Sequence, residues 1–443
     1  MNMPKKNVRE AALDILEAIE KHQSYSNLLL NQVIEKNHIT GPDVRLLTEL
    51  TYGTLQRKLT LDYYLKPFLQ KKVENWVLNL LRLSLYQMLY LDKIPDRAIL
   101  FEAVEIAKRR SHRGISGMVN GVLRAIQRKG VPSLDNIKDP VERLSIETSH
   151  PKWLVQRWTE QFGFDKTKKM CETNLIAPLQ TARVNLTRSS REEVITLLEN
   201  EGFIVQESPI LSEAIQSLKG NLVHSDCYKK GLITIQDESS MIVANVMEIE
   251  PNQLILDCCA APGGKTTHIA EKLNGTGKVI AHDLHEHKVK LIKENAERLG
   301  LHNIETIAMD SRKIGEHYPK NSFDRVLVDA PCSGLGVLRR KPDIKYVKSL
   351  QDIEALQTIQ HSILAEAAEM VKSGGILTYS TCTVDKEENE GTVQYFLDRF
   401  PDFEAYSIKV PSTIEPFVQH YRLQIFPQDF GSDGFFIACF KKK

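Results

Sequence analysis

Ile-Leu-Asp-Cys-Cys-Ala-Ala-Pro-Gly-Gly-Lys-Thr-Thr occupies residues 255–267 and contains the most informative turn of the chain. The apolar run at 254–256 is of the kind that a buried parallel strand needs. A helical pattern at 266–273 follows the Pro-Gly-Gly turn. Glycines let a ligand approach the backbone, and the start of a helix offers unpaired N–H groups. The stretch therefore predicts a cradle for a nucleotide-like ligand.

Two common phosphate cradles fit this turn poorly. A dinucleotide fingerprint needs three glycines in G-x-G-x-x-G spacing, which is absent here. A Walker A loop needs a glycine five residues before Gly264, where Cys259 stands. A ligand without a phosphate tail fits better, such as the nucleoside part of S-adenosylmethionine. The alternative is that the glycines only serve a tight turn.

Length and composition limit the possible classes of protein. The chain has 443 residues, which suggests roughly three domains, and 42% of them are hydrophobic, as in globular proteins. Arg82 interrupts the best apolar candidate, 77–91, so no membrane span is expected. Charged residues recur between 5 and 21 and leave no signal-peptide core. The seven cysteines show no CxxC pair or metal-ligand spacing, so we expect no metal site and a reducing, cytoplasmic compartment.

Residues 1–140 are predicted to form an all-α bundle. Residues 1–130 carry 21 Lys and Arg against 13 Asp and Glu, which favours a polyanionic partner and solvated helix faces about equally. The densest basic cluster adjoins Gly114, where a loop or helix end would let phosphates reach it. The cluster consists of Lys108, Arg109, Arg110 and Arg113. The predicted helices are 8–19, 43–56, 59–68, 73–91, 99–108 and 117–128.

Residues 141–230 are predicted to hold a linking helix and a small α+β module. The strand–helix–strand order at 181–186, 191–201 and 203–208 is typical of a ferredoxin-like or RNA-recognition-like module. Arg183 and Asn185 share one face of the first strand. They could line an RNA-binding groove, although an exposed polar face explains them equally well.

From residue 231 to 443 the pattern alternates strand and helix, which predicts a parallel sheet. A hairpin of 423–426 with 435–440 ends the chain. This outline resembles the α/β, Rossmann-like sheet of a class I methyltransferase. The predicted parallel strands are 254–258, 278–282, 304–308, 325–328 and 375–379, with helices such as 287–299 and 352–370 between them.

Aspartates follow three successive strands at the edge where such sheets bind ligands. Asp283 stands 20 residues after Gly263, at the spacing of a carboxylate that accepts ribose hydroxyls. Asp310 and Asp329 follow the third and fourth strands. A single strand-end aspartate is usually a helix cap, but three beside a glycine turn predict a ligand site.

Two cysteines are predicted at the same edge. Cys332 lies in Asp-Ala-Pro-Cys-Ser-Gly (329–334) after the fourth strand, and Cys382 ends Ser-Thr-Cys (380–382) after the fifth. Neighbouring strand ends lie about 5 Å apart, so both thiols can face one substrate. The usual role of cysteine as a small buried apolar residue suits Cys258 and Cys439 within apolar strands. It suits Cys332 and Cys382 poorly, because both occupy polar turns.

The three motifs at 257–267, 329–334 and 380–382 together resemble those of the RNA cytosine-C5 methyltransferases of the Nol1/Nop2/Sun type. The helical bundle ahead of them is similar to the NusB-type RNA-binding fold. This combination is most similar to the Sun/Fmu group, which acts on small-subunit ribosomal RNA. The resemblance implies S-adenosylmethionine as cofactor and 16S ribosomal RNA as partner. The sequence gives no sign of a membrane or of an obligate protein partner.

By this resemblance, Cys382 would be the nucleophile and Cys332 would assist release of the product. The turn and the strand-end aspartates would hold the cofactor. The implied cofactor-binding residues are Cys259, Ala260, Ala261, Pro262, Gly263, Gly264, Lys265, Asp283, Asp310 and Asp329.

The chemistry itself requires such a nucleophile. Carbon 5 of cytosine reacts poorly, and a thiolate that adds to carbon 6 makes it reactive. Nearby N–H groups or cations such as Lys265 or Lys386 would favour the thiolate. Afterwards the carbon 5 proton must leave and the carbon–sulfur bond must break, which Cys332 or a water positioned by it could assist. Asp329 could also hydrogen-bond the cytosine, and the base must be unstacked, so single-stranded or loop RNA is expected.

Three other functions stay open at this point. The same chemistry could act on transfer RNA or on another ribosomal RNA site. A non-catalytic RNA-binding or assembly factor would explain the helical bundle and predicts that Cys382→Ala is harmless. A nucleoside triphosphatase is the weakest alternative, because the first Walker glycine is missing.

Overall fold

The computed structural model describes residues 7–22 and 26–443 and divides the chain into two compact units. One unit comprises Met1–Ile176 with Leu338–Val347, and the other comprises Ala177–Val337 with Lys348–Lys443. Residues 1–6 of the first predicted domain lie outside the described residues. The division at residue 176 passes through the segment predicted as 141–230.

The first unit is helical, as the spacing of apolar residues predicts. Each helix buries one apolar stripe, and Leu13, Leu47 and Leu81 are fully buried in the common core. The helix at Ser26–Lys36 was not predicted, because its leucines form one run instead of a helical repeat. The helices are α1 (Val8–His22), α2 (Ser26–Lys36), α3 (Pro42–Gln56), α4 (Lys58–Leu65), α5 (Asn75–Tyr90), α6 (Asp96–Arg110), α7 (Arg113–Lys129), α8 (Pro140–Thr148), α9 (Lys152–Phe162) and α10 (Phe164–Thr173).

The segment Leu338–Val347 belongs to this helical unit, although its sequence lies within the third predicted domain. Its Lys345 is fully buried and donates to the carbonyl oxygen (3.1 Å) and the side-chain oxygen (2.7 Å) of Gln56. Burial lowers the pKa of Lys345 to about 7. The sequence did not indicate that this lysine is buried, because lysine is usually exposed.

The second unit begins with a four-stranded antiparallel sheet in the order β2-β3-β1-β4. The predicted strand–helix–strand is confirmed, and β3 and β4 complete it. Val184, Val194 and Ile215 pack in its core. The elements are β1 (Gln180–Val184), α11 (Arg191–Asn200), β2 (Ile204–Glu207), β3 (Ala214–Lys219), α12 (Asp226–Lys229) and β4 (Ile233–Ile235).

A nine-stranded sheet follows, in the order β11-β12-β13-β9-β8-β5-β6-β7, with β10 also paired to β13. The five strands from β5 to β9 are parallel, and β13 joins β9 antiparallel. The predicted strands and the terminal hairpin are thereby confirmed. The elements are α13 (Glu238–Val246), β5 (Leu254–Asp257), α14 (Gly264–Lys272), β6 (Lys278–Asp283), α15 (Glu286–Leu299), β7 (Ile304–Ala308), β8 (Phe323–Asp329), α16 (Ile344–Val347, in the helical unit), α17 (Leu350–Met370), β9 (Val371–Thr381), α18 (Thr392–Arg399), β10 (Phe403–Ala405), β11 (Val418–Gln419), β12 (Arg422–Ile425), α19 (Pro427–Phe430) and β13 (Phe435–Lys442).

The strand order places β5 at the centre of the parallel part. After β5 the chain adds β6 and β7 on one side and then β8 and β9 on the other. Open parallel sheets bind ligands at the carboxyl ends of the strands where this reversal occurs. Over the described residues, none of the helices has the length and apolar character needed to span a membrane.

Candidate active site

The glycine turn lies at the end of the central strand β5. The register pairs Asp257 with Ala281 of β6 and with Leu327 of β8. The amide of Ala260 donates to the carbonyl of His282 at 2.8 Å, which ties the turn to the neighbouring strand end. Helix α14 starts at Gly264, so the predicted strand–turn–helix arrangement is confirmed.

A buried carboxyl group supports the turn from beneath. Asp257 is fully buried, and its Oδ2 accepts from the hydroxyl of Thr266 at 2.6 Å. Burial raises the pKa of Asp257 to about 7, against the opposing effect of the Thr266 hydrogen bond. This contact joins the end of β5 to the first turn of α14. Sequence reasoning treated Asp257 as part of the motif and gave it no role.

The residues around the turn fit S-adenosylmethionine. Asp283 ends β6 and accepts from the amide of Ala261 at 3.3 Å, with further lone pairs for ribose hydroxyls. Leu284, 57% exposed, presents apolar surface beside it. Gly263 has φ 103°, and a Cβ there would meet the Cα of Ile292 at 3.1 Å, so the turn carries no side chain. The carboxylate suits the ribose hydroxyls, and the apolar surface suits the base. The turn without a side chain lets the ligand approach the backbone closely.

Asp310 makes a different set of contacts. It lies beyond the end of β7 and caps the 3-10 helix Ser311–Glu316 by accepting from the amide of Arg312 at 3.0 Å. The guanidinium of Arg312 also donates to it at 2.6 Å, and this hydrogen bond holds the pKa of Asp310 below its usual range. The helix cap explains these contacts, and a role toward the cofactor stays a prediction.

Asp329 and Lys265 form an ion pair at the neighbouring strand ends. Asp329 accepts from the ammonium of Lys265 at 2.7 Å and from the hydroxyl of Ser380 at 2.8 Å. Burial would lower the pKa of Lys265, but the charges of Asp329 and Cys382 outweigh it and raise the pKa. The glycine turn thus places a fixed cation beside Cys382. Lys265 is one of the two lysines considered from the sequence.

The sulfur atoms of Cys332 and Cys382 lie 3.4 Å apart and share a hydrogen bond. Neither cysteine forms a disulfide bond, and both are partly exposed. The pKa of Cys332 is raised well above its usual range, first by the hydrogen bond with Cys382 and then by burial. Cys332 therefore keeps its proton and can donate it toward Cys382, on which Lys265 favours negative charge. The predicted proximity of the two thiols is confirmed.

The cysteines expected to be structural are buried. Cys258 and Cys439 are free thiols with almost no exposed surface. Burial raises the pKa of Cys439 to about 12, which makes it a poor nucleophile near neutral pH. Within residues 7–22 and 26–443, no group of three or more His, Cys, Asp or Glu is arranged to hold a metal ion.

Two buried residues make contacts beside Cys332 and Cys382, and the sequence gave no indication of either. Glu388 and Asn389 are consecutive in a π-helical turn, Glu387–Gly391. Glu388 accepts from the amide of Ser333 at 2.8 Å, and Asn389 donates to the carbonyl of Thr383 at 3.1 Å. Their sequence, Asp-Lys-Glu-Glu-Asn-Glu at 385–390, has the composition of a solvated helix face. The burial of Glu388 and Asn389 therefore could not be predicted from this polar sequence and is shown only by the structure.

The basic cluster lies at a helix end, as predicted. Lys108, Arg109 and Arg110 form the last turn of α6, and Arg113 starts α7. The cluster is partly neutralised inside the fold, however. Arg110 is bound by the carboxylates of Asp14 and Glu17, Arg109 donates to Glu10 at 3.2 Å, and Lys108 donates to Glu105 at 2.7 Å. These ion pairs reduce the charge available to a phosphate.

The structure contradicts the prediction that Arg183 and Asn185 line an exposed groove. Arg183 is 1% exposed and donates to both carboxylate oxygens of Glu271, at 2.9 and 2.8 Å. Asn185 is fully buried and donates to the carbonyl of Leu299 at 3.1 Å. Their shared strand face is therefore correct, but it packs against α14 and the end of α15. Which face of a strand meets solvent depends on elements distant in sequence.

Comparison with known families gives three matches along the chain. Residues 244–441 match the family described as 16S rRNA methyltransferase RsmB/F. Residues 6–128 match the NusB family, and residues 150–223 match the ferredoxin-like domain of RsmF/B-like methyltransferases. These matches agree with the helical, ferredoxin-like and Rossmann-like parts predicted from the sequence.

Relatives resemble the chain over its whole length. It is 52% identical over 446 residues to a probable ribosomal RNA small subunit methyltransferase B of Bacillus subtilis, with 100% of both chains covered. It is 34% identical over 438 residues to ribosomal RNA small subunit methyltransferase B of Proteus mirabilis, with 98% of each covered. The solved structure of PH0851 covers 100% of both chains with a TM-score of 0.85 and 26% identity. NSun6 from Pyrococcus horikoshii with SFG has a TM-score of 0.60 and 25% identity over 66% of this chain and 98% of that one.

Proposed function

Because this chain belongs to the RsmB/F family of 16S ribosomal RNA methyltransferases, we propose that it methylates carbon 5 of a cytosine in 16S ribosomal RNA through a covalent intermediate with Cys382. It is an enzyme that uses S-adenosylmethionine. One observation carries the proposed chemistry: the 3.4 Å separation of the Cys332 and Cys382 sulfur atoms. Two thiols so close suit addition to, and elimination from, the same ring.

Cys382 is the nucleophile in this proposal. Its thiolate adds to carbon 6 of the cytosine, and the electron pair displaced toward carbon 5 makes that carbon reactive. Lys265, held at 2.7 Å by Asp329, stabilises the thiolate before the attack. S-adenosylmethionine supplies an electrophilic methyl group when bound. Asp329 also accepts a hydrogen bond from the cytosine and so orients the ring.

Cys332 assists release of the product. After transfer, a base removes the proton from carbon 5, the C–H electron pair forms the carbon 5–carbon 6 double bond, and Cys382 leaves as a thiolate. The contact with Cys382 is the first cause of the raised pKa of Cys332. That cause weakens once Cys382 is a neutral thioether, because the neighbouring negative charge is gone. Cys332 can then lose its proton more readily, so that its thiolate, or a water positioned by it, is available as the base at this step.

The turn residues and strand-end aspartates are proposed to hold S-adenosylmethionine. These are residues 259–265 together with Asp283, Asp310 and Asp329. Asp283 would accept the ribose hydroxyls, and Leu284, 57% exposed, would cover one face of the adenine. We also retain as proposals the domain extents 1–140, 141–230 and 231–443, and a cytoplasmic location.

For the RNA we propose contacts along α7. Its sequence contains four cations and no acidic residue. Arg113, Arg124, Arg128 and Lys129 are exposed, and none has an ion pair within the part of the chain that the structure describes. Unpaired cations on one helix suit a phosphate backbone better than the partly neutralised residues of α6.

A groove adjoins this helix. It has a cavity volume of about 450 Å³ and lies between α7 and the segment 68–73. Phe68 and Met118 line it, Gly121 leaves its wall open, and Lys71 stands at its side. Such a groove, mainly apolar and beside cations, suits an unstacked base of single-stranded RNA.

Transfer of a labelled methyl group to purified RNAs tests the proposed function. The wild-type protein is expected to label 16S ribosomal RNA, with 5-methylcytosine recovered after digestion to nucleosides. Transfer RNA and large-subunit ribosomal RNA serve as comparison substrates. Label found only in transfer RNA would support the same chemistry on another substrate. Cys382→Ala with full activity would contradict the covalent mechanism.

A further inference from the structure

We propose that Glu388 and Asn389 are positioning residues for methyl transfer, each holding the loop of one cysteine. Glu388 holds the segment 331–333, here called the Cys332 loop. Asn389 holds the segment 381–383, here called the Cys382 loop. The proposal rests on the two-cysteine mechanism above and adds the residues that set the distance between the two sulfur atoms. Both are fully buried, and nothing about their sequence suggests a place in the active site.

The Cys332 loop is held by hydrogen bonds on both sides of the cysteine. Glu388 accepts from the amide of Ser333 at 2.8 Å and from its hydroxyl at 2.5 Å. Gln360 donates to the carbonyl of Pro331 at 3.0 Å and to Glu388 at 3.0 Å. The residues before and after Cys332 are thus bonded to the same carboxyl–amide pair, which leaves its backbone little freedom.

The Cys382 loop is held in the same way by Asn389, the residue after Glu388. The side-chain oxygen of Asn389 accepts from the hydroxyl of Thr381 at 2.6 Å. Its amide nitrogen donates to the carbonyl of Thr383 at 3.1 Å and to Gln424 at 3.0 Å. Residues on both sides of Cys382 are therefore bonded to one side chain, and a strand residue holds that side chain in turn.

Two direct contacts join the loops to each other. The hydroxyls of Ser333 and Thr383 lie 2.9 Å apart, and the amide of Gly336 donates to the carbonyl of Cys382 at 3.0 Å. A displacement of either loop would therefore alter the separation of the sulfur atoms. Misplacement of reacting groups by about 1 Å can slow an enzyme about a hundredfold.

Stability alone does not account for Glu388. Burial raises its pKa against the hydrogen bonds from Ser333, so its charge is unfavourable where it stands. Well-packed apolar residues in such places are often equally or more stabilising. The carboxyl group instead provides two acceptor oxygens in a fixed geometry beneath Cys332, which an apolar residue cannot.

The two residues should have opposite kinetic signatures, because they hold loops with different tasks. Glu388→Ala is expected to form the covalent RNA adduct and to release it slowly, so that adduct accumulates on a denaturing gel. Asn389→Ala is expected to form adduct slowly and to accumulate none. Turnover should fall between about tenfold and a hundredfold in both. Dissociation constants for S-adenosylmethionine and RNA should stay within about twofold, since neither residue is proposed to touch them.

Matched variants separate positioning from folding. Glu388→Gln keeps the acceptor for the Ser333 amide and is expected to restore most of the turnover. Glu387→Ala removes an exposed carboxylate from the same turn and should resemble the wild type. Ser333→Ala removes only the hydroxyl contacts and should release adduct slowly, as Glu388→Ala does. It tests the proposal even where Glu388→Ala fails to fold.

The proposal is overturned if Glu388→Ala and Asn389→Ala slow adduct formation and release alike, or if Ser333→Ala releases adduct as fast as the wild type. Failure of the proposed function looks different. In that case Cys382→Ala would keep full activity on an RNA that the wild-type protein methylates.

Discussion

Arg183 donates to both carboxylate oxygens of Glu271, at 2.9 and 2.8 Å, and both side chains are buried. The same guanidinium donates to the hydroxyl of Thr267 at 3.1 Å and to the carbonyl of Gly264 at 2.9 Å. Strand β1 of the small sheet is thereby bonded to α14, the helix that starts at the glycine turn. A residue that the sequence suggested for RNA therefore supports the glycine turn from within.

Removal of Arg183 should destabilise the second unit. Arg183→Met leaves the Glu271 carboxylate buried and unpaired, which typically costs about 3–5 kcal/mol. Urea unfolding followed by circular dichroism measures the loss. Adding Glu271→Leu should recover part of it, because the unpaired charge is then removed. Equal stability of Arg183→Met and the wild type would contradict the importance of this ion pair.

Cys332→Ala should trap the covalent intermediate. Cys382 can still add to the base, but the elimination loses the group that assists it. A band of protein bound to RNA is expected on a denaturing gel after incubation with S-adenosylmethionine and 16S ribosomal RNA. The band should vanish in Cys332→Ala/Cys382→Ala. If the wild type methylates this RNA and no band forms, Cys332 is not needed for release.

The exposed arginines of α7 should contribute to RNA binding. Arg124→Gln/Arg128→Gln on α7 should weaken RNA binding and reduce the slope of log affinity against log salt by about 1.4, since each contact with single-stranded RNA contributes about 0.7. The melting temperature should not change, because neither arginine has an ion pair within the described residues. Lys169→Gln on α10, an exposed cation that also lacks an ion pair among the described residues, is the control. An unchanged salt slope would exclude α7 as an RNA surface.

Arg109→Glu/Arg110→Glu should have a mixed effect. The sequence alone predicts weaker RNA binding with intact S-adenosylmethionine binding. Arg110 also bonds to Asp14 and Glu17 of α1, so reversing its charge places like charges together and should lower the melting temperature. Binding of RNA is therefore compared at a temperature where the variant is folded. Unchanged affinity there at moderate salt would contradict an RNA contact by this cluster.

Lys345 should make stability depend on alkaline pH. Its pKa is about 7 in the folded protein, against an ordinary value of 10.5. Between these values the unfolded chain binds a proton that the folded protein does not, so stability rises with pH across this window. Lys345→Met lacks this dependence. The melting temperature of the wild type should therefore rise relative to that of Lys345→Met between pH 7 and pH 10.

Lys169→Met serves as the control for this experiment, because it removes a lysine that is exposed instead of buried. A constant difference between the wild type and Lys345→Met at every pH would show that Lys345 stays charged when folded. Lys345→Met also loses the hydrogen bonds to Gln56. This loss changes its melting temperature equally at low and high pH, so the dependence of the difference on pH is unaffected.

Local patterns in the sequence were enough to predict the class of fold and the chemistry at the sheet edge. Period-two and period-3.6 apolar patterns are local, so the strands and most helices could be predicted within a few residues. The glycine turn, Asp283, Asp329 and the two cysteines follow strand ends, and the ends of parallel strands necessarily meet at one edge. Their position at one edge therefore followed from the predicted parallel pattern without any knowledge of side-chain packing.

The burial of individual polar residues, and the groups that they contact, could be read only from the packed structure. Arg183 and Asn185 shared a predicted face, but α14 and α15 cover it. Glu388 and Asn389 look solvated in sequence and lie beneath the cysteines, while Lys345 is buried among helices distant from it along the chain. Burial depends on elements far apart in sequence, and the polarity of a side chain does not reveal which distant partner will satisfy it.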